Sequence, residues 1–104
     1  MGEDWTRNIL QQQGHNPVSQ VSTKIDGVTN RWDFSYQENG INHFIEVKSG
    51  FKPRFTTNQK INIPKMMNGA SYMFTGKNAL KIPGVNVGTT LNTPSQVTIF
   101  RWLF

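Results

Sequence analysis

Apolar and polar positions alternate along much of the chain with the two-residue period of half-buried strands. Over residues 17–25 the alternation runs through Val18, Gln20 or Val21, Thr23 and Ile25, and Asp26-Gly27 closes it as a turn. Two β-rich runs follow, residues 30–36 and 41–48, with Asn39-Gly40 between them. Asn-Gly is a strong hairpin signal because both central residues of a type I′ turn need positive φ. Residues 71–74 and 97–103 read as later strands. Helical spacing shows twice. Trp5, Ile9 and Gln12 or Gln13 share one side of a helix that Asp4 caps and Gly14 stops. Thr56-x-x-Gln59 is a capping box for a second helix, which Pro64 makes short or kinked because the residue before a proline avoids the helical region. Residues 76–95, broken by Gly and Pro, resolve into no element. The order helix, strand, hairpin, helix, strands predicts a single α+β domain over 1–104, an α/β/α sandwich on a small mixed central sheet.

A two-residue turn at Asn39-Gly40 sets the register of the hairpin. Glu38 faces Ile41, Tyr36 faces His43, Phe34 faces Ile45 and Trp32 faces Val47, all on one apolar and aromatic face. The other face carries Ser35 opposite Phe44, Asp33 opposite Glu46, and Arg31 opposite Lys48. Two carboxylates thus stand across from each other, with a lysine two residues beyond one of them.

Composition narrows the chemistry. The chain has 104 residues, no Cys and two His, which removes a disulfide scaffold, a thiol nucleophile and any Cys-based or all-His zinc site. No apolar run reaches the ~18 residues of a membrane span, and no leader pattern is present. Net charge is +5, unevenly spread: the first 46 residues hold all six acids against three bases, whereas residues 47–104 hold eight bases and no acid. A segment of charge +8 suits a polyanionic or acidic partner.

Opposed carboxylates in a half-buried sheet share a proton or bind a cation. Two of them suit Mg²⁺, or alternatively Mn²⁺ or Zn²⁺; Mg²⁺ keeps several waters and accepts a phosphate oxygen. Beside a lysine ammonium such a set can cleave phosphodiesters. The plain alternative is a cross-strand salt cluster of Asp33, Glu46, Arg31 and Lys48 on a solvated face.

Asp33 followed on the next strand by Glu46-Val47-Lys48 resembles the Asp…Glu-x-Lys core of the PD-(D/E)XK, or restriction-endonuclease-like, nuclease superfamily. The leading helix with Glu3, the three strands, and a helix bearing Gln59 and Lys60 match the surroundings of that core over about residues 3–74. The stretch IEVKSGFKPRFTTNQ, residues 45–59, is similar to C-terminal nuclease toxin domains of contact-dependent inhibition and Rhs polymorphic toxins. No proline precedes Asp33; Trp32 stands there. The resemblance implies that Asp33, Glu46 and the Val47 carbonyl hold a divalent metal, with Glu3 for a second ion or for orientation. It assigns Lys48 to the attacking water or the transition state, and puts Gln59 and Thr56 near the site. It further implies an endonuclease exported within a larger bacterial effector, acting in the target-cell cytoplasm and neutralised by an immunity protein, which the +8 segment would require to be acidic. DNA is the first substrate expected and tRNA the next.

Lys48, Lys52, Arg54, Lys60 and Lys65, with Phe51 and Phe55 interleaved, suit backbone phosphates and stacked bases. Among these, Lys52, Arg54, Thr56, Lys60 and Lys65 are the expected nucleic-acid contacts. Two other functions remain open at this point: a metal-free ribonuclease using His15 and His43, and a non-catalytic basic nucleic-acid-binding module.

Overall fold

The computed structural model describes residues 2–50 and 54–103. Helix α1 (Gly2–Gln12) precedes strands β1 (Val18–Ile25), β2 (Val28–Glu38) and β3 (Ile41–Ser49); α2 (Thr57–Met67) follows. Strand β4 (Tyr72–Thr75), a 3₁₀ turn over Asn78–Lys81, the short β5 (Thr90–Leu91) and β6 (Ser95–Trp102) complete the order. The six strands form one sheet in the order β5-β4-β1-β2-β3-β6, antiparallel throughout except where β3 and β6 run side by side. The fold is α+β on a mixed sheet, as the element order predicts.

Neighbouring residues of β3 serve two cores. Phe44 packs with Trp32, Tyr72 and Phe74 and with Ile63 and Met66 from α2. Ile45 packs with Phe34, Tyr36 and, from α1, Leu10. Consecutive strand residues point to opposite faces, so the two helices cover opposite faces of the sheet. On its face α1 is fastened by Arg7, which donates to the Ser19 hydroxyl at 2.8 Å and lies over the Phe34 ring. Its first residue comes closest: a Cβ on Gly2 would fall 2.9 Å from the Ser49 hydroxyl and 3.1 Å from the Trp102 ring. A side chain at this position would have to push Ser49, Trp102 and Val47 aside, and the close approach brings the adjacent Glu3 to the cleft with Asp33 and Glu46.

The hairpin turn is the expected one. Asn39 and Gly40 have φ of 56° and 75°, and the register runs from Glu38–Ile41 to Phe34–Ile45 as the turn dictates. There it stops. The expected pairings of Trp32 with Val47, Asp33 with Glu46 and Arg31 with Lys48 are not made; beyond Ile45, β3 keeps β6 as its neighbour and leaves β2. The face expected for Trp32 is also wrong. Trp32 lies in the core beneath α2, tilted against Phe44 and donating to the Thr23 hydroxyl, while Phe34 lies beneath α1. Residues two apart on one strand normally share a face, so the alternation breaks at Asp33. The residue across from it on β1, between the pairs Ser19–Phe34 and Val21–Trp32, is Gln20, whose φ is 56°. Both strands are kinked at the same rung.

Three smaller expectations change. Helix α1 begins at Gly2, so Asp4 lies with Glu3 in its first turn, where carboxylates favour the helix dipole, and is not the cap. Helix α2 passes through Pro64 to Met67. Burial of Ile63 and Met66 outweighs the hydrogen bond that Pro64 cannot donate. The segment 76–95 holds the 3₁₀ turn and β5, and Ala79 and Ile82 anchor it in the core beneath α2.

Candidate active site at the β2–β3 fork

Where β3 leaves β2, the edge of β2 exposes carbonyls to which no strand N–H donates. Helix α2 enters the gap. Asn58 donates its amide to the Thr29 carbonyl at 2.8 Å and Asn62 to the Val28 carbonyl at 2.9 Å. Two asparagine side chains thereby do for the β2 edge what a neighbouring strand would do. On the β3 side, the Val47 N–H donates to the Asp33 carboxylate at 2.7 Å. Nothing in the sequence marks Asn58 and Asn62; asparagines opposite a strand edge carry no signal until the helix is placed.

The fork opens into a cleft of about 860 Å³. Glu3, Asp33, Glu46, Thr56 and Gln59, all expected at the site, line it; Arg31, Asn30, Thr57 and Asn58 line it too. Thr56 and Gln59 form the reciprocal cap expected: the Gln59 N–H donates to the Thr56 hydroxyl at 3.1 Å, and the Thr56 N–H to Gln59 Oε1 at 2.8 Å. The same Oε1 accepts the Lys48 ammonium at 2.9 Å.

Lys48 stands behind the cleft wall. Its Nζ is 3.7 Å from Glu46 Oε1 and lies over the Phe55 ring, 4.8 Å from the centroid. Glu46 itself is only 4% exposed, and its Oε2 accepts no hydrogen bond from the described residues. Burial, then a proton shared with Asp33 and the charge of Asp33, push the Glu46 carboxyl up to about 8, with Lys48 and Gln59 pulling the other way. Glu3 is raised for a related reason, led by its hydrogen bond to Asp33 and then by burial. Asp33 thus stands between two carboxyl groups, Glu46 and Glu3, whose protonated forms its charge favours.

Among the described residues no group of three His, Cys, Asp or Glu side chains is disposed to hold an ion. Mg²⁺, however, asks for only one or two carboxylates and keeps its waters. Asp33 and Glu46 meet that demand. A buried carboxylate oxygen with no donor, in a carboxyl that holds its proton up to about pH 8, is the kind of group a cation relieves.

The remaining candidates scatter. Lys65 pairs with Asp26 at 3.2 Å, and Lys60 borders a separate apolar recess with Phe55, Ile63 and Ile99. Arg54 is exposed outside the cleft lining, and Lys52 lies outside the described residues. His15 and His43 come together at the far end of the hairpin. Each stacks on Tyr36, at 4.3 and 4.6 Å between centroids, and His15 Nδ1 pairs with Glu38. The two imidazoles take opposite faces of one phenol ring, which fills the space a phosphate between them would need.

No described helix is long and apolar enough to cross a membrane. Comparison of the chain with protein-family models, with curated proteins and with solved structures found no match.

Proposed function

We propose that this chain is a metal-dependent nuclease of the PD-(D/E)XK type, with a restriction-endonuclease-like core, hydrolysing phosphodiester bonds of DNA or, second, of tRNA. The observation that carries the reading is the pairing at the fork. Asp33 and Glu46 face each other across two diverging strands, and Lys48 lies 3.7 Å from Glu46. A salt cluster on a solvated face would leave these groups wet; here Glu46 is buried and one of its oxygens has no donor.

In this reading Asp33, Glu46 and the Val47 carbonyl hold Mg²⁺. When bound, the cation lowers the pKa of a water and offsets charge on the phosphate. The chain's own residues do the rest. The Val47 N–H fixes one oxygen of Asp33, leaving the other for the cleft. Lys48 favours the ionised form of Glu46, the form a cation needs, and Gln59 holds the Lys48 ammonium in place. For Lys48 to reach a pentavalent phosphate it must exchange Gln59 for a phosphate oxygen, as a flexible four-carbon stem allows. Glu3 completes the wall beside Asp33, which raises the Glu3 carboxyl.

The same reading makes the chain the toxic domain of a larger exported bacterial effector, acting in the target-cell cytoplasm. An acidic immunity protein would neutralise it, steered by the +8 segment. The test is incubation with plasmid DNA and with total tRNA in Mg²⁺, Mn²⁺, Zn²⁺ or EDTA, alongside Glu46→Ala and Lys48→Ala. Metal-dependent cleavage absent from both variants is expected. Cleavage indifferent to EDTA and to both substitutions would overturn the reading, and salt-dependent binding without product would leave a binding module.

A further inference from the structure

Strand β6 closes one side of the sheet and has a strand neighbour on one edge only. Consecutive pairs with β3, from Asn42–Ser95 to Ser49–Trp102, take up that edge. Along the other, no described strand follows, so alternate residues turn their N–H and C=O groups outward with no ladder to meet them. Edge strands are ordinarily blunted by brevity, a bulge, proline or lysine. Residues 95–102, SQVTIFRW, carry none of these, and Arg101 is the strand's one charge.

Beside this edge, on the α2 face, lies an apolar groove of about 270 Å³ lined by Phe55, Ile63, Pro64 and Ile99, together with the exposed Lys60. Asn58 and Asn62 turn one flank of α2 to β2. Lys60, Pro64 and Met67, spaced four and three apart, form the opposite flank. The Ser95 hydroxyl donates to the Met66 carbonyl at 3.4 Å, which sets the end of α2 at the start of β6, and Met67, 57% exposed, extends the apolar strip there. Arg101 is exposed two residues beyond Ile99, hence on the same face. Neither Arg101 nor Lys60 pairs with a carboxylate among the described residues, and residues 47–104 contain no acid to supply one.

We propose that the outer edge of β6 and this groove bind an extended, acidic segment of another protein, which adds a further strand to the sheet. Backbone N–H and C=O groups of the segment meet those of β6. On its α2 face a central aliphatic side chain enters the groove beside Ile99, and carboxylates two residues to either side meet Lys60 and Arg101. Charge selects this occupant. A second copy of the chain would set the same Lys60 and Arg101, from the same +8 segment, against their like. A polynucleotide has phosphates for the two cations, but no alternating donors and acceptors for a strand ladder and nothing aliphatic for the groove. The surface lies across α2 from the cleft, the two sharing Gln59, and the proposal does not rest on the nuclease reading.

The probe is a capped peptide of eight residues, the length of β6, with leucine near its centre, glutamate two residues to either side and threonine elsewhere. Titrated into ¹⁵N-labelled protein, it should shift the β6 amides saturably and slow their hydrogen exchange. N-methylation of one alternate set of peptide amides should abolish binding, and of the other set leave it, because only alternate N–H groups of an added strand face β6. Lys60→Glu combined with Arg101→Glu should weaken binding by about fivefold or more. That variant should instead bind the peptide with lysine in place of glutamate, which the wild type should not, and its own spectrum reports that it is folded. No saturable shift, shifts outside β6 and the groove, or indifference to N-methylation overturns the strand addition. Wild-type affinity in the charge-reversed variant overturns the acidic assignment. Concentration-dependent shifts of the β6 amides without peptide give the edge to a second copy and overturn the acidic partner, as does a single-stranded oligonucleotide that shifts the same amides and displaces the peptide. Peptide binding by a protein that cuts no nucleic acid upholds the surface while the nuclease reading falls; cleavage without peptide binding does the reverse.

Discussion

The Asp33 carboxylate accepts the Val47 backbone N–H at 2.7 Å, so a side chain of β2 stands where a β2 carbonyl would have continued the ladder. This bond holds β3 to β2 at the point where the two strands part, and it orients the carboxylate. Asp33→Ala should leave the Val47 N–H unmet and lower stability by about 1–3 kcal/mol in urea unfolding. Asp33→Asn keeps an oxygen acceptor and removes one of three crowded acids, so wild-type stability is expected. Both variants should lose cleavage. An Asp33→Ala protein as stable as wild type would count against the structural part of the argument.

Glu46 makes stability depend on pH in a stated direction. Its carboxyl is raised from 4.5 to about 8 in the folded chain, so the folded state binds a proton that the unfolded state has released. Stability then falls as pH rises between about 4.5 and about 8, and the contribution is flat above that. Glu46→Gln, neutral at every pH, should be more stable than wild type by a margin that grows across this window. Saturating Mg²⁺ should raise the melting temperature of the wild-type protein and close the margin, with no matching gain in Glu46→Gln. Parallel melting curves from pH 4 to pH 9 would sink the assignment.

Gln59 has two tasks with one oxygen: it accepts the Thr56 N–H in the cap and the Lys48 ammonium at the site. Gln59→Ala should cost about 1 kcal/mol of stability, the usual worth of a cap, and should reduce cleavage further than that loss of folded protein explains. Gln59→Glu retains an acceptor for both partners and should recover the stability. Thermal unfolding and turnover per folded molecule, measured together, separate the two tasks.

The histidines serve as a control on the chemistry. His15→Ala and His43→Ala each remove one ring from the stack on Tyr36 and should cost about 0.5–1.5 kcal/mol. Cleavage per folded molecule should be unchanged in both and abolished by EDTA. EDTA-resistant activity lost with either histidine would transfer the chemistry to that end of the hairpin.

The amino-acid sequence by itself determined the hairpin and much of what it carries. The Asn39-Gly40 turn and the strand period set the register down to Phe34–Ile45. Asp33 falls on one strand of that hairpin and Glu46 and Lys48 on the other, though not in the expected register, and the Thr56–Gln59 cap is legible from its spacing. These are relations between residues that are neighbours along the chain or across one turn, and local backbone geometry is enough to state them. The kink at Gln20 and Asp33, the crossing of Trp32 to the α2 face, and the asparagine clamp on β2 follow from a different cause. A helix displaces a strand as the neighbour of β2, through contacts such as Asn58 to Thr29 that span 29 positions. That displacement breaks the alternation, buries Glu46 and opens the cleft. Tertiary packing alone decides it, because the free energy that favours α2 in the gap comes from a core assembled by the whole sheet.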